Sequence, residues 1–226
     1  VKVADNLAQI QENIRQSCSN VGRSETDINI IGVTKYVTIN RAKEALGAGV
    51  KNLGENRMEG FLKKYDEIGN DATWHFIGSL QSRKVKEIIA NVDYIHSLDR
   101  KSLAKEINKR ADRPISCFVQ VNVSGEESKH GLSKEEVPSF IEKMANYPNV
   151  KVVGLMTMAP FLDDEAILRG IFRELRQLRD QIQAENWDYA PCDYLSMGMS
   201  NDYQIAVEEG ATHIRIGSEL VGPYDE

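Results

Sequence analysis

Cysteine, proline and aromatic residues are all sparse in this chain: three cysteines, six prolines and 7% aromatics in 226 residues. Cys18, Cys117 and Cys192 are odd in number and far apart, so they suit neither a disulfide framework nor a zinc spacing, and a reducing cytoplasm is the expected compartment. No Pro-, Gly- or Ser-rich tract marks a linker, and a single domain over residues 1–226 is expected. Basic residues are not in excess: 28 Lys and Arg face 34 Asp and Glu, a formal charge of -6, which argues against a nucleic-acid partner. No apolar run approaches membrane-spanning length, and the polar start Val1-Lys2-Val3-Ala4-Asp5-Asn6-Leu7 has no signal core, so a soluble, unexported protein is expected. The dinucleotide fingerprint G-x-G-x-x-G is missing as well.

What the chain does have is strict alternation. Val3, Leu7, Ile10 and Ile14 recur at three- and four-residue spacing and predict a helix over residues 3–18. Apolar runs predict strands over 28–34, 52–54, 73–77, 92–96, 115–123, 150–156, 192–196 and 213–216. Helical patterns lie between them at 39–47, 57–68, 82–90, 100–111, 134–145, 163–184 and 202–209. Asn201 or Ser200 is expected to cap the last of these and Gly210 to stop it. This pattern predicts an α/β fold, a (β/α)8 TIM-type barrel with an extra N-terminal helix. An open doubly wound sheet would carry glycines after its first strand, where this chain has Lys35-Tyr36-Val37-Thr38.

Barrel active sites lie where the strands end. The first run, Ile28-Asn29-Ile30-Ile31-Gly32-Val33-Thr34, ends on Lys35. An amine there can shed hydration and attack a carbonyl, although a lysine also marks where a strand simply meets water. Phosphate sites in barrels favour the loops after strands seven and eight. In this chain those loops hold Ser196-Met197-Gly198-Met199-Ser200 and, after Arg215, Gly217-Ser218. Gly198 permits close backbone approach, Ser196 and Ser200 carry hydroxyls, and the following helix turns its positive end to the loop. A lysine facing a phosphate cradle implies an aldehyde or ketone bearing a phosphate, and both pyridoxal phosphate and a phosphosugar fit. Arg215 reads either as a donor to a ring nitrogen or as the ion-pair partner of Glu55 or Glu219.

Other polar features read as structural. Met156 and Met158 sit at strand spacing and are expected to face one way into the core. His96, His130 and His213 have no metal-like spacing, so no metal site is expected. Lys129-His130-Gly131 reads as a solvated turn, and Asp163-Asp164-Glu165 and Glu208-Glu209 read as helix ends or solvated faces.

Taken in order, Val33-Thr34-Lys35, Gly54-Glu55-Asn56, His75-Phe76-Ile77-Gly78, Gly154-Leu155-Met156-Thr157-Met158, Ser196 to Asp202 and Arg215-Ile216-Gly217-Ser218 closely resemble the pyridoxal phosphate homeostasis protein family across nearly the whole chain. The resemblance implies one barrel like the alanine racemase N-terminal domain, holding pyridoxal 5'-phosphate as a Schiff base on Lys35. It implies a phosphate near Ser196 to Ser200 and Gly217-Ser218, and a pyridine nitrogen facing Arg215. Carried onto the matching motifs, it assigns cofactor contact to Lys35, Asn56, His75, Met156, Ser196, Met197, Gly198, Ser200, Arg215, Gly217 and Ser218, with no catalytic residue.

An arginine gives up a proton reluctantly, so a ring held this way is a poor electron sink, and the implied role is vitamin B6 homeostasis with little catalysis. Only residues 217–226 follow the last strand, too few for the second domain that completes a racemase site. The implied unit is a cytoplasmic monomer whose partners are the cofactor and pyridoxal-phosphate-dependent apoenzymes. The alternatives are a racemase-like enzyme, with Tyr36 as a base if its hydroxyl reaches the cofactor, and a Schiff-base aldolase for phosphosugars. Aldolases of this fold tend to carry their lysine on the sixth strand, where this chain has Met156 and Met158.

Overall fold

In a computed structural model that describes residues 2–127 and 130–223, the apolar runs become eight parallel strands. They are β1 (Asn29–Val33), β2 (Asn52–Glu55), β3 (Thr73–Phe76), β4 (Tyr94–Leu98), β5 (Ile115–Gln120), β6 (Val150–Met156), β7 (Tyr194–Ser196) and β8 (His213–Ile216). Each pairs with the next, and β8 closes on β1. The closing register sets Ile31 of β1 beside Arg215 of β8, which brings Arg215 near the strand that ends at Lys35. The barrel read from the alternation is therefore the barrel observed.

The helices are α1 (Val3–Val21), α2 (Ile39–Ala48), α3 (Met58–Ile68), α4 (Val85–Ile88), α5 (Lys101–Arg110), α6 (Val137–Lys143), α7 (Glu165–Gln183), α8 (Tyr203–Glu208) and α9 (Ser218–Val221). The extra helix α1 packs beside α8 and α9, where Asn13 donates to the Tyr203 hydroxyl at 2.9 Å and Asn6 to the Leu220 carbonyl at 2.9 Å. The short helix α9 carried no periodic signal and was not expected. Among the described residues no helix is long and apolar enough to cross a membrane.

Several boundaries differ from the sequence expectation for local reasons. The expected helix 82–90 is a 3-10 turn followed by a four-residue α-helix. Strand β4 begins at Tyr94 rather than residue 92, because Val92 still donates to the Ile88 carbonyl of the preceding turn. Strand β5 stops at Gln120, because the chain beyond it pairs with the returning loop instead: Asn122 donates to Leu132 and Leu132 to Gln120. Asp202, not Ser200 or Asn201, precedes α8, and its carboxylate reaches back to accept the Met199 N–H at 2.7 Å.

Burial divides into two shells. The large one lies between strands and helices, where Leu53, Trp74, Ile95 and Leu195 meet helix residues such as Phe61, Leu103 and Phe172. The small one fills the barrel interior with Phe118, Val153 and Met156, packed by Tyr94 and Tyr194. Barrel interiors are usually aliphatic. In this protein buried His75, His96 and His213 complete the filling: His75 stacks on Tyr94 at 4.5 Å between centroids, His96 on Phe118 at 4.2 Å, and His213 meets Tyr194 edge-on at 4.9 Å.

Glu209, read as a helix end or a solvated face, stands at the C-terminal end of α8 and is buried. It accepts from Arg169 at 3.1 Å and Arg173 at 3.2 Å on α7, and so ties α8 to its neighbour. Asp164 does mark a helix end, since its side chain caps α7 through the Ile167 N–H.

Candidate functional site

A cavity of about 620 Å³ opens at the C-terminal ends of the strands. Lys35 reaches it from the turn after β1, Asn56 from the end of β2, Ser200 from the loop after β7, and Arg215, Gly217 and Ser218 from β8 and the start of α9. Residues that lie far apart in sequence thus share one wall-to-wall space, of a size typical for small-ligand sites. The described residues that line it include two basic side chains, Lys35 and Arg215, and no carboxylate. An anionic ligand suits that balance.

Other residues expected at the site lie elsewhere. His75, Met156, Ser196, Met197 and Gly198 do not line the cavity. Met156 fills the barrel interior, and Met197 belongs to the outer core. Gly198 adopts φ +103°, where a Cβ would come within 2.7 Å of Ala206, so glycine there lets the loop fold tightly against α8. Ser196 is fully buried below Arg215. Met156 and Met158 do not share an environment: β6 ends at Met156, Thr157 turns its hydroxyl to the Val121 carbonyl, and Met158 emerges half-exposed in the cavity wall.

The turn that presents Lys35 is anchored from beneath. Lys64 of α3 donates to the Thr34 carbonyl at 2.8 Å and to the Glu55 carboxylate at 3.2 Å, while the Thr34 hydroxyl donates to the other Glu55 oxygen. Burial raises the Glu55 carboxyl, and Lys64 and Thr34 pull it back down. Glu55 therefore belongs to Lys64, and the alternative of an ion pair between Glu55 and Arg215 is not realised. Burial raises the Glu219 carboxyl, with Tyr203 opposing. At the mouth itself the Lys35 Nζ stands 4.8 Å from the centroid of the Tyr36 ring.

Arg215 is 5% exposed and is held by two hydrogen bonds, from Nη1 to the Ser196 hydroxyl at 2.5 Å and from Nη2 to the Thr157 carbonyl at 3.0 Å. Burial pushes its guanidinium down to about 10, against the favourable field of Asp202, so it stays charged at neutral pH. The same burial keeps Asp202 above the usual carboxylate range, with Arg215 and the Met199 N–H opposing.

Asn56 depends on a glycine neighbour. A Cβ on Gly78 would lie 2.4 Å from the Asn56 carbonyl oxygen and 2.8 Å from its Cβ. Gly78→Ala is expected to destabilise the fold by about 1–3 kcal/mol, as overpacking does, and to displace Asn56 from the cavity wall. Urea melts and the Asn56 side-chain amide resonances report the two effects.

Tyr36, Gln120, His130, Met158 and Phe161 also line the cavity. The 129–131 turn was expected to be solvated, and His130 is exposed as expected; Lys129 lies outside the described residues, and the return of Leu132 to Gln120 and Asn122 sets the exposed His130 at the cavity wall. That return is a long-range pairing with no periodic signature.

The chain belongs to the alanine racemase N-terminal domain family, whose model matches residues 6–225. Its curated relatives include pyridoxal phosphate homeostasis proteins: that of Aquifex aeolicus is 43% identical over 98% of each chain, and that of Pseudomonas aeruginosa is 34% identical over 99% of this chain and 96% of its own. Among solved structures, PipY of Synechococcus elongatus PCC7942 with PLP bound superposes with a TM-score of 0.84 at 28% identity, covering 97% of this chain and all of PipY. An alanine racemase of Clostridium difficile shares the fold at a TM-score of 0.79 and 16% identity, and 60% of its length is covered.

Proposed function

We propose that this protein binds pyridoxal 5'-phosphate in the cavity and serves vitamin B6 homeostasis with little or no catalysis of its own. The observation that carries this reading is the convergence of the half-buried Lys35 amine, the buried Arg215 guanidinium and the small residues Ser200, Gly217 and Ser218 on a single space, with no carboxylate among the described lining residues. The relatives named as homeostasis proteins, and the PLP-bound structure of PipY, support it.

In this reading Lys35 engages the aldehyde, Ser200 and Gly217-Ser218 take the phosphate, Asn56 flanks the ring, and Arg215 faces the pyridine nitrogen. When bound, the cofactor supplies an electrophilic ring, whose strength as an electron sink depends on a proton at that nitrogen. Arg215 withholds such a proton, because a guanidinium that titrates near 10 stays charged. The recipients of the cofactor that we propose are pyridoxal-phosphate-dependent apoenzymes, and the working unit is a monomer.

A racemase-like activity is the second reading, favoured by Tyr36 and His130 in the cavity wall. Incubation of the loaded protein with L-alanine in deuterated water separates the two. The homeostasis reading expects no exchange at the α-carbon above that of free cofactor; turnover-level exchange establishes the enzyme.

A further inference from the structure

The barrel interior holds a file of polar groups that the cavity does not use directly. Asn52 Oδ1 lies 2.9 Å from His75 Nε2, His75 Nδ1 lies 2.9 Å from His96 Nε2, and His96 Nδ1 lies 2.9 Å from the Ser196 hydroxyl, which also accepts from Arg215 at 2.5 Å. The file runs from the lower end of β2, across β3, β4 and β7, to the cavity residue on β8. Every side chain from His75 to Arg215 is buried.

We infer that Ser196, His96 and His75 are positioning residues for Arg215, and that Arg215 fixes the direction of every proton in the file. A guanidinium has donors only, so the Ser196 oxygen must accept from it. The single Ser196 proton then goes to His96 Nδ1, which must be bare. A neutral imidazole bare at Nδ1 carries its proton on Nε2, and His96 therefore donates to His75 Nδ1. By the same rule His75 carries its proton on Nε2 and donates to the Asn52 oxygen.

Burial holds both histidines well below their ordinary value of 6.5, which keeps them neutral, as the file requires. The opposite arrangement would leave the proton of a fully buried Ser196 without an acceptor and would need the Asn52 amide turned over. An unmet buried donor is costly.

The file therefore has one proton order. It presents Ser196 to Arg215 as a fixed acceptor and, with the Thr157 carbonyl, sets where the charge faces the cavity. It also commits the Ser196 hydroxyl to His96, away from any phosphate. The tautomers follow from the fold alone, whereas the role toward the ligand rests on the reading proposed above.

Two measurements test this. Long-range nitrogen–proton spectra of the histidine-labelled protein without ligand, assigned with single-histidine variants among the four histidines, are expected to show His75 and His96 neutral and protonated on Nε2 at pH 7. A proton on Nδ1 of either ring, or a cationic ring, overturns the file. In the second, Ser196→Ala is titrated with pyridoxal phosphate beside the wild type. Loss of the acceptor is expected to weaken binding roughly tenfold, the cost of a hydrogen bond to a charged group, and to move the visible absorption maximum of the complex. Unchanged affinity and spectrum overturn the positioning role. If Ser196→Ala does not fold, the wild-type spectra still decide the proton order; if the wild type does not bind pyridoxal phosphate, the proposed function fails while those spectra still test the file.

Discussion

Lys35→Ala is expected to abolish the visible absorption that the wild-type protein acquires with pyridoxal phosphate, leaving only the spectrum of the unlinked aldehyde. Among the described residues Lys35 is the lysine in the cavity wall; Lys64 is close in space but is buried against Glu55 and the Thr34 carbonyl, on the far side of the turn. With Lys35 removed, Arg215, Ser200 and Ser218 can still hold the ligand by charge and hydrogen bonds, so weakened binding without the visible band is the expected signature. A loss of at least about tenfold in affinity is expected when the covalent link goes. Folding should be nearly unaffected, within about 0.5 kcal/mol, since the side chain is partly exposed and anchors no core. An unchanged visible band in this variant removes Lys35 from the account.

Acid is expected to destabilise the protein steeply between about pH 6.5 and pH 4, before most carboxylates titrate. Burial drops His213 from 6.5 to about 4 and holds His75 and His96 well below 6.5 as well. A histidine whose folded value lies below its unfolded one takes up more protons when unfolded, so stability rises with pH in that window. The contribution is whole above 6.5 and is lost as pH falls through the folded value. For His213 alone the window is worth about 3 kcal/mol, at about 1.4 kcal/mol per pH unit. His75 and His96 act in the same direction.

Glu55, Asp202 and Glu219, whose carboxyls burial raises, oppose this trend at the acid end, so the decisive comparison is between variants. Urea unfolding at pH 7 and pH 5 is expected to show several kcal/mol lost by the wild type, and a visibly shallower loss in His213→Leu. Equal pH slopes in the two proteins would contradict the neutral-histidine core.

How far the sequence could be read depended on whether a feature was local. Each strand of the barrel carries its own apolar run, and the site residues at strand ends follow from that placement alone: Lys35 after β1, Asn56 after β2, Gly217 and Ser218 after β8. The loop after β7 was only half legible. Ser200 faces the cavity, whereas Ser196 and Met197 turn into the fold and Gly198 packs against α8. Composition marks such a loop as polar and flexible, but which residue faces inward is decided by the α8 contact and by the Arg215 N–H bond to the Gly198 carbonyl at 2.9 Å.

The histidine interior was harder still, because it arises only from register. The signal that existed was alternation: Tyr94 and His96, Tyr194 and Ser196, and His213 and Arg215 each stand two apart on a strand and so share its inner face. A polar or aromatic inner face repeated on several strands is the pattern that would have exposed it. His130 lacked even that, since its place in the wall depends on the pairing of Leu132 with Gln120, Val121 and Asn122.

If the Lys35 amine at the barrel mouth holds the cofactor, that bond can be fixed chemically. Wild-type protein incubated with pyridoxal phosphate, reduced with borohydride and digested, is expected to carry the reduced pyridoxyl mass on the peptide containing Lys35. A modified peptide containing a different lysine, or no modified peptide at all, would contradict the account.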